Sequence, residues 1–336
     1  MKIVIATDAW APQINGVVTT LEKMGEELTA LGNSVKYITP EGFKTFPCPS
    51  YPSIRLSILP KAKVTSMLNE FEPDAIHIAT EGPLGQAARA YCLKNKLKFT
   101  TSYHTQFPEY VRLRAPVPLA WTYAYLRRFH DKAERTMVPT PSQQQMLFNR
   151  NFSNVVVWSR GVDTELFHPR EKEFIKDPRP ISMYMGRVAV EKNIEAFLEL
   201  ELPGTKYVVG DGPDLNMLKS KYPDTKFTGF KRGIELAQYL SAADVFVFPS
   251  LTDTFGLVML EAMACGVPVA AFPVTGPIDV VVQGKTGIVD NDLKQAVLKA
   301  LELQPIDCIT YAKQNSWRNC AETFFSHLEP NSAHPN

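Results

Sequence analysis

The stretch Ala242–Pro268, AADVFVFPSLTDTFGLVMLEAMACGVP, decides the fold. Val245–Phe248 is apolar at every position, the mark of a strand covered on both faces rather than one alternating between core and solvent. A polar loop follows. Leu257–Cys265 then reads as a helix, closed by Gly266. Val267–Ala270 is the next strand. Strand, helix and strand in this order make a right-handed βαβ unit, and such units build parallel sheets.

The alternation extends in both directions. Upstream, β-rich runs stand at Lys2–Ala6, Ser34–Ile38, Ala75–Ile78, Phe99–Ser102, Met137–Val138 and Val155–Trp158. Helical patterns separate them at Val17–Leu31, Lys61–Phe71, Gly85–Lys94, Trp121–Glu134 and Ser142–Arg150. Arg160–Pro180, polar and bearing Pro169, Pro178 and Pro180, reads as a linker. Beyond it, strands at Ile181–Met185, Tyr207–Val209, Lys226–Phe227 and Thr286–Val289 alternate with helices at Glu191–Leu200, Asp214–Lys221, Ile234–Ala242 and Leu293–Leu303. A last helix is expected near Asp307–His327. The chain therefore reads as α/β, with two doubly wound, Rossmann-like domains at 1–160 and 161–306. A C-terminal helix at about 307–330 is expected to pack back onto the first. Ligands of such sheets bind beyond the carboxyl ends of the strands, so the site is expected in a cleft that the two domains face.

Composition agrees. At about 100–200 residues per domain, 336 residues make two. With 45% hydrophobic residues a disordered or fibrous chain is excluded. A net charge of +1 argues against a bulk nucleic-acid binder, and no nucleic-acid partner is expected. Five cysteines, at 48, 92, 265, 308 and 320, show no metal-ligand spacing, so neither a zinc site nor a disulfide scaffold is indicated and a reducing compartment fits. Ile3–Ala6 is too short for a signal-peptide core. The longest weakly charged stretch, Phe255–Ile278, holds Glu261, three glycines and three prolines and cannot be one membrane span. The expected location is cytoplasmic, with a peripheral place at the inner face of the cell membrane open to it. Charge is uneven: Lys44–Arg135 holds 14 Lys and Arg against 7 Asp and Glu. That is either a solvated basic face or a surface for anionic lipid headgroups.

Three segments carry candidate chemistry. In the loop before Leu257, Thr254 or Asp253 can cap the helix, and Gly256 allows close approach to the backbone. The free amides of the first turn form an anion site. Asp253 and Glu261 can turn their carboxylates to one side, where two oxygens suit a sugar diol; a capping Asp and an exposed helix Glu are the alternative. In Met185–Asn193, MGRVAVEKN, Gly186-Arg187 ends a strand and Lys192 opens a helix. The two cations can converge on a phosphate chain, or be ordinary surface residues. In the N-terminal loop, Asn15-Gly16 permits close approach of a ligand. Neither a G-x-G-x-x-G fingerprint nor a phosphate-loop motif is present. Asp290-Asn291-Asp292 is a D-x-D, read as a turn and helix cap rather than a metal site, so no metal is expected. His104 and His77 follow or lie in strands, where a structural role is the default; His130 and His168 read as helix-surface and linker residues.

GRVAVEK, VVGDGP and TDTFGLVMLEAMACGVPV resemble the retaining GT-B glycosyltransferases of family 4. RGVDTELFHP at 160–169 is similar to the family's interdomain signature, and SYHTQFPEY at 102–110 to its first-domain histidine segment. FPCPSYPSIRLSILP at 46–60 resembles the mannosyl- and sulfoquinovosyl-transferring glycolipid branch. The resemblance implies that Arg187 and Lys192 hold the diphosphate of a nucleotide-sugar donor, a co-substrate rather than a cofactor. It implies that Glu261 bonds the ribose hydroxyls. Asp253 and the backbone of Thr254, Phe255, Gly256 and Leu257 would hold the donor sugar. Gly186 and Gly16 would allow close approach to the diphosphate, and His104 would stand near the reacting hydroxyls. Most of the family has Glu where this chain has Asp253. The implied reaction transfers a hexose from GDP-mannose or a UDP-hexose with retention of configuration.

The implied acceptor is a lipid such as diacylglycerol or a phosphoinositide. EYVRLRAPVPLAWTYAYLRRFHDKAER, from Glu109, agrees with it: Trp121, Tyr123 and Tyr125 interleave with Arg112, Arg114, Arg127 and Arg128, either as in helices that lie on a bilayer or as an ordinary core-facing helix with a basic outer side. The alternatives are a soluble or lipopolysaccharide-type acceptor, and a sugar-nucleotide-binding protein without turnover.

Overall fold

The computed structural model describes residues 1–331 apart from 12, 14, 49–50 and 115–116. The chain divides into two compact units, Met1–Ser159 joined by the segment from Trp317, and Arg160–Ser316.

The first unit contains β1 (Lys2–Ala6), α1 (Gly16–Ala30), β2 (Ser34–Ile38), β3 (Thr45–Cys48), β4 (Tyr51–Ser57), α2 (Lys61–Phe71), β5 (Ala75–Ile78) and α3 (Pro83–Asn95). It continues through β6 (Thr100–Ser102), α4 (Phe107–Arg114), α5 (Leu119–His130), β7 (Arg135–Val138), α6 (Pro141–Phe148) and β8 (Val155–Val157). Its parallel sheet runs β2-β1-β5-β6-β7-β8. β1 and β5, in the middle, are almost wholly buried, which is why they read as unbroken apolar runs. α1 begins at Asn15, whose Oδ1 accepts from the amides of Val17 and Val18, and buries Val18, Leu21, Met24 and Leu28 along one stripe.

The second unit holds β9 (Ile181–Met185), α7 (Glu195–Leu198), β10 (Thr205–Val209), α8 (Leu215–Lys221), β11 (Lys226–Gly229), α9 (Gly233–Ala242) and β12 (Val245–Phe248). α10 (Leu257–Ala264), β13 (Val269–Ala271), α11 (Pro277–Val280), β14 (Gly287–Val289), α12 (Leu293–Ala300) and α13 (Pro305–Gln314) complete it. Its sheet, β11-β10-β9-β12-β13-β14, is parallel throughout and has the doubly wound order that reverses between β9 and β12. The final helix, α14 (Trp317–His327), belongs to the first unit. Phe324 packs on Trp158, with ring centroids 4.8 Å apart, and Trp158 Nε1 donates to the carbonyl of Cys320. The single helix expected over Asp307–His327 is thus two, parted at Asn315–Ser316. No described helix is long and apolar enough to cross a membrane.

Other expectations need correction. β3 and β4 form an antiparallel hairpin that the prolines at 47 and 52 disguise; a two-stranded ribbon is all edge, where proline is tolerated. Arg160–Pro180 is no free linker: Val162, Phe167 and Ile175 are buried in the core of the second unit, and Arg179 and Lys172 both reach Asp244 at 2.6 Å. The D-x-D carboxylates serve a cap. Asp292 Oδ1 accepts from the amide of Gln295, and Asp290 Oδ1 from the amide of Asp292. Asp290→Ala with Asp292→Ala is therefore expected to lower stability by about 1 kcal/mol in urea titration. Turnover measured in EDTA should match the parent; full inactivation restored by Mn²⁺ would reassign the motif to a metal.

Candidate functional site

In the second unit the strand order reverses between β9 and β12, so the segments leaving these two strands border the sheet's switch point, where such folds bind ligands. After β9 come Gly186 and Arg187, then a 3-10 turn, Val190–Lys192. Asn193 ends that turn at φ 51° and its Nδ2 donates to the carbonyl of Pro249, just past β12. The hydroxyls of Ser250 and Thr252 both donate to the carbonyl of Glu191. These bonds stitch the two segments together and bring Lys192 to Asp253. The ammonium donates to both carboxylate oxygens, at 2.7 and 2.8 Å. Both side chains are largely covered.

A third segment supports the first. Gly186 N donates to Val209 O, and Val188 N to Asp211 O. A Cβ on Gly210 would stand 1.8 Å from the carbonyl oxygen of Gly186, so only glycine admits this approach. VVGDGP is therefore the platform under the Arg187 loop, a role that its glycines signalled but that composition could not assign. The Arg187 side chain is exposed, and its carbonyl accepts from Tyr184 OH at 2.7 Å.

Asp253 is not the N-cap of α10, contrary to one of the two expectations for it. Both Asp253 oxygens are engaged by Lys192, and the N-cap is Gly256, at φ 80°. A Cβ there would meet the Phe248 ring at 2.8 Å and Met259 at 2.9 Å, so side chains of the protein itself fill the space beside this glycine. Thr254 and the buried Phe255 lead into the helix. Glu261 lies one turn along α10, where burial pushes its carboxyl up to about 7. An ammonium, an exposed guanidinium, the first-turn amides of a glycine-led helix and a desolvated carboxylate suit a ligand that combines phosphates with vicinal hydroxyls.

The remaining candidates lie in the first unit. Gly16 is the first residue of α1. His104 follows β6, half-buried, its ring edge-on to Trp158 at 5.8 Å. His77 is a structural residue, bonded to Thr100 and Ser102. His130, expected on a helix surface, is buried and bonded to Thr101. The switch point of this sheet, between β1 and β5, is filled by Asp8, which sequence reasoning passed over. Its carboxylate accepts from the Thr80 hydroxyl and from the amides of Leu84 and Gly85 at the start of α3, while burial raises its pKa. Its position straight after an apolar strand was the available signal.

Residues 179–303 match the family model described as glycosyl transferases group 1, and residues 14–166 the one described as glycosyltransferase family 4. A GDP-mannose-dependent alpha-mannosyltransferase of Mycolicibacterium smegmatis is 32% identical over 317 residues, covering 86% of this chain and 84% of the relative. An alpha-monoglucosyldiacylglycerol synthase of Acholeplasma laidlawii is 25% identical and covers 99% of this chain and 98% of its own. Among solved structures, a sucrose-phosphate synthase from Thermosynechococcus elongatus superposes with a TM-score of 0.73 at 22% identity, over 97% of both chains. Two Rossmann-like units of the GT-B type, matched by relatives along nearly their whole length, place the chain in glycosyltransferase family 4.

Proposed function

We propose that the chain is a retaining glycosyltransferase that moves a hexose from a nucleoside-diphosphate sugar to a lipid acceptor. The observation that carries this reading is the meeting of Lys192 and Asp253 at the switch point of the second sheet, with the start of α10 at Gly256 three residues on. Lys192, Arg187 and the amides after Gly256 hold the diphosphate. Glu261 accepts from the ribose hydroxyls, and Asp253 from those of the hexose. Transfer breaks the bond from the anomeric carbon to the phosphate oxygen and forms one to the acceptor oxygen. The acceptor proton passes to the departing phosphate. The cations stabilise the charge that builds there. An Asp253 whose oxygens accept from hexose hydroxyls suits binding rather than nucleophilic attack, which favours front-face substitution.

The lipid acceptor draws support from the name of the diacylglycerol-glycosylating relative and from one face of the first unit. Trp121 is 73% and Tyr125 51% exposed, and Arg128 follows on the same side of α5. Tyr123 and Arg127 are not part of this face. Residues two apart on a helix point in opposing directions; Tyr123 is buried and donates to Glu109, and Arg127 donates to the carbonyl of Arg150. The Arg114 side chain lies outside the described residues.

Two measurements test the proposal. Thermal shift over UDP, GDP and ADP sugars should raise the melting point with one nucleotide class, since ligand bound by the native state stabilises it. Phosphatidylglycerol vesicles should sediment the protein at low salt and release it at high salt. Trp121→Ser with Arg128→Glu should weaken sedimentation and leave nucleotide binding intact. No nucleotide shift would refute the donor site; indifference to anionic vesicles would move the acceptor to the soluble class.

A further inference from the structure

We infer that Asp253 makes the donor site discriminate between a sugar-bearing nucleotide and the bare nucleoside diphosphate left after transfer. The inference rests on the donor role proposed above for Lys192. Without ligand, the ammonium already donates to both oxygens of Asp253 at 2.7 and 2.8 Å. This is no loose surface contact. The side chains are 21% and 16% exposed, and the backbone is pinned on both sides, by Asn193 on Pro249 and by Ser250 and Thr252 on Glu191.

A nucleoside diphosphate that recruits Lys192 must draw it off the carboxylate. With no sugar, Asp253 is then left largely covered and without a counter-charge, which is the expensive way to break an ion pair. A nucleotide sugar brings its own compensation, because hexose hydroxyls donate to the oxygens that the ammonium gives up. The carboxylate thus opposes phosphate binding unless a sugar accompanies it. Once the hexose has left, Asp253 recaptures Lys192 and the spent diphosphate loses one of its two cations. One contact then serves both donor selection and product release.

The test is calorimetric titration of the full chain with GDP, UDP, GDP-mannose and UDP-glucose. Asp253→Asn should bind whichever bare diphosphate the parent binds about five- to tenfold more tightly, the scale of a freed partly buried cation. It should bind the matching nucleotide sugar no more tightly than the parent does. Asp253→Glu keeps the charge and should stay within about twofold of the parent for the bare diphosphate. Lys192→Met added to Asp253→Asn should abolish the gain. Asp253→Ser repeats the experiment should the asparagine variant fold poorly. Unchanged or weaker diphosphate binding in both neutral variants, with the parent binding normally, would overturn the discrimination and leave the donor site standing. If the parent binds none of the four ligands, nor ADP or ADP-glucose, the proposed function falls and the discrimination with it.

Discussion

Lys192→Ala is expected to lower kcat/KM by about 10²- to 10³-fold, the scale of losing one preorganised group that faces charge developing in the transition state. Arg187→Ala should lose at least about 100-fold for the same reason. The two should differ in stability. Arg187 is exposed and its backbone is anchored through Tyr184, so its removal should move the melting curve less than the loss of Lys192 does. Lys192→Ala strips Asp253 of its counter-ion and should lower the melting point while far-UV circular dichroism stays the same. Turnover within twofold of the parent for both variants would remove these cations from the donor site.

Glu261→Gln is expected to separate stability from binding. Burial holds this carboxyl at about 7, against 4.5 for an ordinary glutamate. The folded state therefore keeps the proton longer than the unfolded state does. Its contribution is complete below about pH 4.5 and drains away as pH rises towards 7, where the buried carboxylate must ionise; above 7 the loss is constant. Glutamine never ionises, so the variant should match the parent at pH 4.5 and exceed it at pH 8 by up to about 3 kcal/mol. Melting of the second unit would then move by about 5–10 °C. Nucleotide affinity should fall at the same time, because an amide accepts two ribose hydroxyls less well than a carboxylate. In the parent, those hydroxyls stabilise the ionised form, so nucleotide binding near pH 6.5 should expel up to about one proton. Titration in buffers of different ionisation enthalpy measures it. A proton count of zero, with an unaltered affinity in the glutamine variant, would take Glu261 out of the ribose site.

Much of the architecture was legible because central parallel strands are apolar at each position. Lys2–Ala6, Ala75–Ile78 and Val245–Phe248 announce themselves, and the loops that follow the last of these and Ile181–Met185 carry the candidate site. What escaped has physical causes. Prolines hid the hairpin of β3 and β4 and the start of α4, because proline is excluded from central strands and helix interiors but not from ribbon edges or first turns. The bond between Lys192 and Asp253 joins residues 61 positions apart, so local spacing assigned each to a ligand and neither to the other. Asp253 read as a cap on local preference, which the ion pair overrides. Trp121, Tyr123 and Tyr125 looked like one face in the written sequence, whereas a helix turns the middle residue inward.

The first unit is interrupted in sequence, since α14 belongs to it while 157 residues of the second unit, 160–316, come between. On the ribosome this inverts the usual order of completion. The second unit is contiguous and can close as soon as it has emerged. The first, though synthesised first, must keep the surface around Trp158 and His77 uncovered until Phe324 arrives. At about 5–20 residues per second, that wait lasts roughly ten to thirty seconds. During it, the half-made protein offers an aromatic surface of the kind that chaperones hold, so nascent chains stalled before residue 317 should be the form in which this protein is most prone to aggregate.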